Sequence, residues 1–294
     1  MQNQNDLTAP GAGTTAAQPY SVLMSVYKND DPAFLAQAVE SMLRQTVKPE
    51  QFVLVLDGPV GEPLAAVVDG YEKASPSLFT VVRLAKNGGL GHALNEGLGY
   101  CRNELVARMD ADDISFPERC EKQLRRFAEK PDMVILGTQI KEFVGTTDHV
   151  VSMRTVPCSY EEILLFSRRR SPFNHPTVMY KKSEIQALGG YPCLNRKEDL
   201  QLFIAAVQEG RYAENLAEPL LYYRTSSDNQ KRRKTWVNCR EYIQVMHGFY
   251  KKKQIGTIDM LYVILGQTAL FLLPDGFSAL LSKRFLRKDA QNDA

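Results

Sequence analysis

Leu105-Val106-Ala107-Arg108-Met109-Asp110-Ala111-Asp112-Asp113 is a short apolar run that ends in three carboxylates within four positions. The first five residues read as a buried strand, and the acids crowd its carboxyl end. Residues two apart in an extended chain point to the same side, so Asp110 and Asp112 face one way. Hard oxygen ligands in that arrangement suit Mg²⁺ or Mn²⁺. The competing reading is a solvated acidic turn, with Asp112 or Asp113 capping the helix expected near Pro117.

The sequence upstream bears on that choice. Tyr20-Ser21-Val22-Leu23-Met24-Ser25-Val26 reads as a strand that ends at the polar segment Tyr27-Lys28-Asn29-Asp30-Asp31-Pro32. Asp31 is placed to cap a helix and Pro32 to open it. Phe34, Leu35, Ala38, Val39, Met42 and Leu43 then recur at helical spacing. A second strand covers 51–56, a second helix 64–71 and a third strand 79–84. Gly88-Gly89-Leu90-Gly91 opens a third helix, and residues 105–109 form the fourth strand. The first ~110 residues thus read β-α-β-α-β-α-β, which predicts an α/β fold: a mostly parallel central sheet with flanking helices. Tyr27, Asp57, Asn87, Asp110 and Asp112 all fall at carboxyl ends of strands, where open α/β sheets bind ligands. This placement favours a functional site over a decorative acidic turn.

Downstream the pattern predicts a helix over 117–129, a strand over 133–137, strand-like pieces near 139–144 and 149–156, and a helix near 160–166. The basic run Arg168-Arg169-Arg170 and the segment Asn174-His175-Pro176 follow. Glu198 and Asp199 open a helix through residue 209. At the far end, basic clusters at 231–234 and 251–253 flank a helical stretch. Residues 258–274 are nearly continuously apolar but too short and interrupted for a membrane span of ~20 residues. A last piece, 277–288, is apolar and basic. Amphipathic C-terminal helices of this kind suit either an anionic membrane interface or packing on the core or a second protomer.

At 294 residues, with 44% hydrophobic and 24% charged residues and a net charge of +2, the chain is an ordinary globular protein with no global bias toward polyanions. Cys101, Cys120, Cys158, Cys193 and Cys239 are odd in number and form no CxxC pair, so they read as reduced thiols of a cytoplasmic protein. Residues 1–19 lack the basic and apolar regions of a signal peptide and are expected to form a disordered tail. The glycine cluster at 88–91 has neither dinucleotide nor P-loop spacing. The basic clusters flank apolar stripes rather than stacking aromatics, which argues against nucleic acid.

Taken together, several short motifs resemble one family. Val22-Leu23-Met24-Ser25-Val26-Tyr27, Ser41-Met42-Leu43-Arg44-Gln45-Thr46, Val55-Leu56-Asp57-Gly58, Asn87 through Asn95, Ala107 through Asp113, Asn174-His175-Pro176-Thr177, Gly189-Gly190-Tyr191 and Glu198-Asp199-Leu200 occur in order. Over about residues 20–228 the chain resembles inverting glycosyltransferases of family 2 with the A-type fold. It is most similar to bacterial exopolysaccharide and O-antigen transferases of the amylovoran-biosynthesis type. The resemblance implies a catalytic domain over 20–228; the helical segment over 229–294 is expected, from its apolar and basic pattern, to touch the cytoplasmic face of the inner membrane peripherally or else to pack in a dimer. The resemblance also implies a UDP-sugar donor and a saccharide acceptor carried on a lipid diphosphate. Ser25, Tyr27, Asp57, Asn87 and Asp110 would bind the donor. Asp57 would accept the uracil N–H, although Leu56 replaces the first of the two adjacent aspartates many relatives carry. Asp112 would hold Mn²⁺ or Mg²⁺, with His175 a second candidate ligand and Asp113 in support. Asp199 would be the catalytic base, oriented by Glu198. The same two acids read as complements to a helix dipole, and the two roles are compatible. Nucleotidyltransfer, or sugar-nucleotide binding without catalysis, are the alternatives. The first lacks a Gly-rich basic loop after the first strand, and the second fits poorly with the presence of both Asp112 and Asp199.

Overall fold

The computed structural model describes residues 18–194, 196–225, 235–272 and 287–288. Its first half follows the expected alternation: β1 (Tyr20–Val26), α1 (Pro32–Leu43), β2 (Gln51–Leu56), α2 (Glu62–Ala74), β3 (Phe79–Arg83), α3 (Leu90–Tyr100) and β4 (Leu105–Met109). Asp31 caps α1 as expected, its Oδ1 accepting the N–H groups of Ala33 and Phe34 at 2.8 and 3.2 Å. These four strands are parallel in the order β3-β2-β1-β4.

The second half is mixed. β5 (Ile114–Ser115), α4 (Arg119–Glu129), β6 (Ile135–Phe143), β7 (Val150–Arg154) and α5 (Tyr160–Ser167) are followed by a 3-10 turn, His175–Thr177. Then come β8 (Met179–Lys181), α6 (Lys182–Ala187), α7 (Glu198–Gln208) and β9 (Ala213–Arg224). β8 inserts antiparallel between β4 and β6, β6 pairs β9 in parallel, and β9 crosses to β5. The two strand-like pieces expected near 133–137 and 139–144 are thus one nine-residue strand. Helix α4 starts at Arg119 rather than Pro117, and no side chain caps it. Asp112 and Asp113 are therefore not its caps.

Strand periodicity divides the core. Tyr20, Val22, Met24, Val26, Phe52, Leu54 and Leu56 face the side covered by α1, α2 and α4. Leu23, Val53, Val55 and Val106 face α3 and α7. Period-2 alternation in strands buried on both faces produces this division. Helix α3 lies flush on the sheet because Gly97 has no side chain: a Cβ there would stand 2.5 Å from both Leu23 Cδ1 and Val55 Cγ2.

The last helices are α8 (Trp236–Lys251) and α9 (Thr257–Leu272), and the short strand β10 (Arg287–Lys288) pairs with β7. Leu200 and Ile204 of α7 share a separate core with Met246, Phe249, Met260 and Val263, which fixes this hairpin against α7. Its other face leaves Ile258, Leu261, Leu265 and Leu272 exposed. The 228/229 boundary, the basic run 231–234, the piece 277–286 and residues 1–17 lie outside the described residues. No helix among the described residues is long and apolar enough to cross a membrane.

Gly97→Leu should destabilise the fold by about 1–3 kcal/mol, because it overpacks a flush helix–sheet contact. Urea unfolding should show the lower midpoint. An unchanged midpoint would mean that α3 can lift off the sheet at no cost.

Candidate active site

The acidic turn sits where β4 ends. Asp110, Asp112 and Asp113 each bring a carboxylate oxygen within 4.8 Å of the others. Two arginines hold this charge in place. Arg108, 1% exposed on the α3-facing side of β4, forms an ion pair with Asp110. Burial works against the Arg108 charge, but the Asp110 carboxylate more than offsets it. Arg224, at the end of β9, clamps the turn from the other side. Its backbone N–H donates to Asp113 Oδ1 at 2.9 Å, its Nε to the Asp112 carbonyl at 2.8 Å, and its Nη2 to Gln37 Oε1 at 2.7 Å. The guanidinium also stacks over Phe34, 3.8 Å from the ring centroid.

A fourth carboxylate joins the group. Asp30 Oδ2 accepts the Tyr27 N–H at 2.7 Å. Burial, and then the charge of Asp110, push the Asp30 carboxyl up to about 6 despite that bond. Burial first, then Asp110 and Asp30, push Asp112 up to about 7. Asp113, fully buried, is raised well above the carboxylate range by burial and by Asp112 and Asp110. Its Oδ2 is buried without a hydrogen-bond partner. An unpartnered buried carboxylate oxygen beside two further acids is the donor set a hard divalent cation takes, so the residues fit a Mn²⁺ or Mg²⁺ ion.

Asp57, 4% exposed at the end of β2, pins the next loop. Its Oδ1 accepts Gly88 N–H at 2.8 Å, and its Oδ2 accepts Asn87 Nδ2 at 2.7 Å and Gly89 N–H at 3.1 Å. Gly58, at φ +85°, lets the two loops close, since a Cβ there would lie 2.5 Å from Asn87 N. Three donors leave one of about four acceptor positions free on the Asp57 carboxylate. Asn87 therefore acts on the site through Asp57. Ser25 and Tyr27, at the end of β1, are half-buried beside them.

His175 is placed away from the acids. Its Nε2 lies 3.1 Å from the Tyr191 hydroxyl, and its ring packs on Tyr191 and Phe203. Burial lowers its pKa far below the usual value, and Arg108 adds to the effect. The expected metal ligand His175 is not among the three residues of the acidic group, and its Nε2 is engaged by the Tyr191 hydroxyl.

Glu198 and Asp199 form the first turn of α7, after Lys197 in a left-handed conformation at φ 69°. Such a backbone is uncommon for a side-chain-bearing residue and marks local strain. Glu198 is buried while Asp199 is half-exposed. Burial, and then the Asp199 charge, raise Glu198 to about 7. Arg108 acts electrostatically on Glu198 as well as pairing with Asp110, so one buried cation is within electrostatic reach of the acidic turn and of the start of α7. Tyr242 of α8 stands within electrostatic reach of Asp199, and its hydroxyl bonds the Arg169 carbonyl at 2.9 Å.

The sequence from 21 to 203 matches the family model described as glycosyl transferase family 2. The chain belongs to this family. It is a glycosyltransferase, 38% identical over 92% of its length to an uncharacterised Haemophilus influenzae glycosyltransferase, 99% of which is covered. An Escherichia coli UDP-Gal:α-D-GlcNAc-diphosphoundecaprenol β-1,3-galactosyltransferase is 34% identical, with 92% of this chain and 97% of that one aligned. The amylovoran biosynthesis glycosyltransferase AmsE of Erwinia amylovora is 36% identical, with 87% and 94% aligned. Among solved structures, Staphylococcus aureus TarS 1–349 in complex with UDP-GlcNAc superposes with TM-score 0.61 at 18% identity, covering 91% of this chain and 78% of that one. At that identity the likeness establishes the A-type glycosyltransferase fold.

Sequence reasoning passed over Asp30, Arg108, Arg224 and Tyr242. Arg108 carried a signal, being a cation inside an apolar strand. Arg224 carried none, since it meets Asp113 across 111 positions.

The raised Glu198 carboxyl makes a stability prediction with a definite sign. The folded protein holds that proton more tightly than the unfolded chain, so the contribution is full below about 4.5 and is lost as pH rises to about 7. Glu198→Gln, which mimics the neutral acid, should melt at the same temperature as the parent at pH 4.5 and higher than it at pH 8. Equal melting temperatures at pH 8 would show that Glu198 ionises freely.

Proposed function

We propose that this glycosyltransferase is metal-dependent and inverting, and moves a sugar from a UDP-sugar to a hydroxyl of a lipid-diphosphate-linked saccharide at the cytoplasmic face of the membrane. The observation that carries the proposal is two carboxylate groups on one side of the molecule: the acidic turn after β4, paired with Arg108, and the Glu198–Asp199 pair opening α7, whose Glu198 is within electrostatic reach of the same arginine and lies against Gly91 at the start of α3. One group suits the departing nucleotide, the other the incoming hydroxyl.

In this reading Ser25 and Tyr27 flank the base, and the free acceptor position of Asp57 takes the uracil N–H, a charge-assisted bond. Asn87 holds Asp57 in that pose. Asp110, turned by Arg108, meets the ribose or water around the ion. Asp112, with Asp110 and Asp113 behind it, would hold Mn²⁺ or Mg²⁺, and the ion would supply Lewis-acid stabilisation of the diphosphate. A Pyrobaculum calidifontis mannosyltransferase in complex with GDP-Man and Mn²⁺ shares the fold, with TM-score 0.59 at 16% identity and 92% of this chain and 76% of that one covered. Asp199 takes the acceptor hydroxyl proton as its oxygen bonds the anomeric carbon and the bond to UDP breaks, the electron pair leaving with UDP. Attack opposite the leaving group inverts the anomeric centre. Glu198, mostly neutral below pH 7, adds no second negative charge there and can donate a hydrogen bond to the substrate.

The acceptor reading draws on the Escherichia coli relative, named for a diphosphoundecaprenol substrate. The exposed stripe Ile258, Leu261, Leu265 and Leu272 supports contact with the membrane that carries such an acceptor. Arg169, ion-paired with Asp259 and stacked on Tyr262, fastens the basic run to the same hairpin. Basic residues flanking an apolar stripe suit an anionic lipid surface.

UDP release should be screened with Mn²⁺ over UDP-galactose, UDP-glucose and UDP-N-acetylglucosamine, using a short-chain lipid-diphosphate N-acetylglucosamine as acceptor. One donor should turn over, chelation should stop it, and NMR of the product should show inverted configuration. Asp112→Asn should lose metal-assisted UDP binding. Asp199→Asn should cut transfer by 10³-fold or more, on the order expected for a general base, and still bind UDP. Full activity in Asp199→Asn would refute the base assignment.

Leu261→Glu with Leu265→Glu should abolish flotation with phosphatidylglycerol vesicles while the melting temperature stays near that of the parent. Unchanged flotation would show that the stripe does not face lipid.

A further inference from the structure

Helix α3 joins the two halves of the site. At its start, Gly88 and Gly89 give their N–H groups to the Asp57 carboxylate, on the donor side. One and two turns along, two residues on one face meet the loop that leads into Glu198. Asn95 holds both backbone groups of Tyr191: Nδ2 donates to the Tyr191 carbonyl at 2.7 Å, and Oδ1 accepts the Tyr191 N–H at 2.8 Å. Gly91, four residues earlier and so on the same face, lets the loop lie against the helix. A Cβ at Gly91 would stand 2.8 Å from the Pro192 carbonyl and 3.3 Å from Glu198 Cβ. Gly190 completes the fit. It adopts φ +72°, and a Cβ there would reach 2.5 Å from Asn95 Oδ1.

Beyond this clamp the chain turns outward at Cys193, passes through the left-handed Lys197 and enters α7 at Glu198. Tyr191 itself is buried, with its hydroxyl on His175 Nε2. Asn95 thus satisfies a buried peptide that no sheet or helix satisfies, and it does so from the helix whose N-terminus Asp57 fixes.

We propose that Asn95 is a positioning residue for the transfer step: through its two hydrogen bonds to Tyr191, with Gly91 as the close-contact point, α3 acts as a strut that fixes the Glu198–Asp199 turn relative to the donor loop. The proposal rests on the assignment of Asp199 as the base. Its consequence is a division of effects. Loss of the clamp leaves Asp57, the acidic turn and nucleotide binding intact, yet lets the base drift from the acceptor hydroxyl, where a displacement of about 1 Å can cost on the order of 100-fold in rate.

The test compares Asn95→Ala, Asn95→Asp and Gly91→Ala with the parent, using UDP with Mn²⁺ as the binding probe and the donor–acceptor pair from the screen above for turnover. Asn95→Ala and Gly91→Ala should lower kcat 10-fold or more, with the UDP Kd within twofold. Asn95→Asp, which keeps the acceptor for Tyr191 N–H but loses the donor, should fall between. Amide exchange in Asn95→Ala should quicken over residues 190–199 and stay unchanged over 87–89. Unaltered kcat in Asn95→Ala, beside an inactive Asp199→Asn, overturns the strut alone. An active Asp199→Asn overturns the base reading instead. A parallel loss of UDP affinity and kcat in Asn95→Ala and Gly91→Ala shows a general structural role and also overturns the proposal.

Discussion

Charge repulsion at the end of β4 is the constraint around which the molecule is arranged. Asp110, Asp112 and Asp113 lie within 4.8 Å of one another with Asp30 close by, and buried like charges are tolerated only with compensation. Arg108 supplies it from beneath and Arg224 from the side. Each arginine ties the turn to a different part of the chain. Arg108 is inside the central sheet and reaches electrostatically to Glu198. Arg224 closes β9, whose crossing from β6 to β5 brings it over the turn. The residual strain, visible in the unpartnered Asp113 Oδ2 and the raised Asp112 and Asp30 carboxyls, is what a bound divalent cation would relieve.

The two halves of the sheet divide the work. The parallel half, β3-β2-β1-β4, presents its strand ends to the proposed donor site, with Asp57 stiffening the loop before α3. The mixed half carries α7, with the proposed base, backed by α8 and α9. Because Leu200 and Ile204 of α7 share a core with the hairpin, the surface proposed to face lipid is one helix away from the proposed base.

Much of this was legible in residue order. The alternation of apolar runs and helical stripes over the first ~110 residues places Tyr27, Asp57, Asp110 and Asp112 at strand ends, and Asp31-Pro32 announces the start of α1. Residue order is silent where a side chain's partner lies far along the chain. His175 has the chemistry of a metal ligand, yet its ring turns to Tyr191 and Phe203. Asp113 looks like a helix cap, yet its Oδ1 takes the Arg224 N–H. Asp57 carries three loop donors that residue order does not announce, and one acceptor position stays open beside them.

Local periodicity is a property of covalent geometry, so the order of strands and helices, the parallel half of the sheet and the acidic strand end follow from residues close together in the chain. Proton affinity, orientation and clamping are properties of the assembled interior. Glu198 holds its proton to about pH 7 because α7 buries it beside Asp199. Asn95 grips Tyr191 across 96 positions because α3 and the 189–197 loop meet over the same sheet. Those facts depend on which distant segments exclude water from one another, and that is settled when the chain closes on itself.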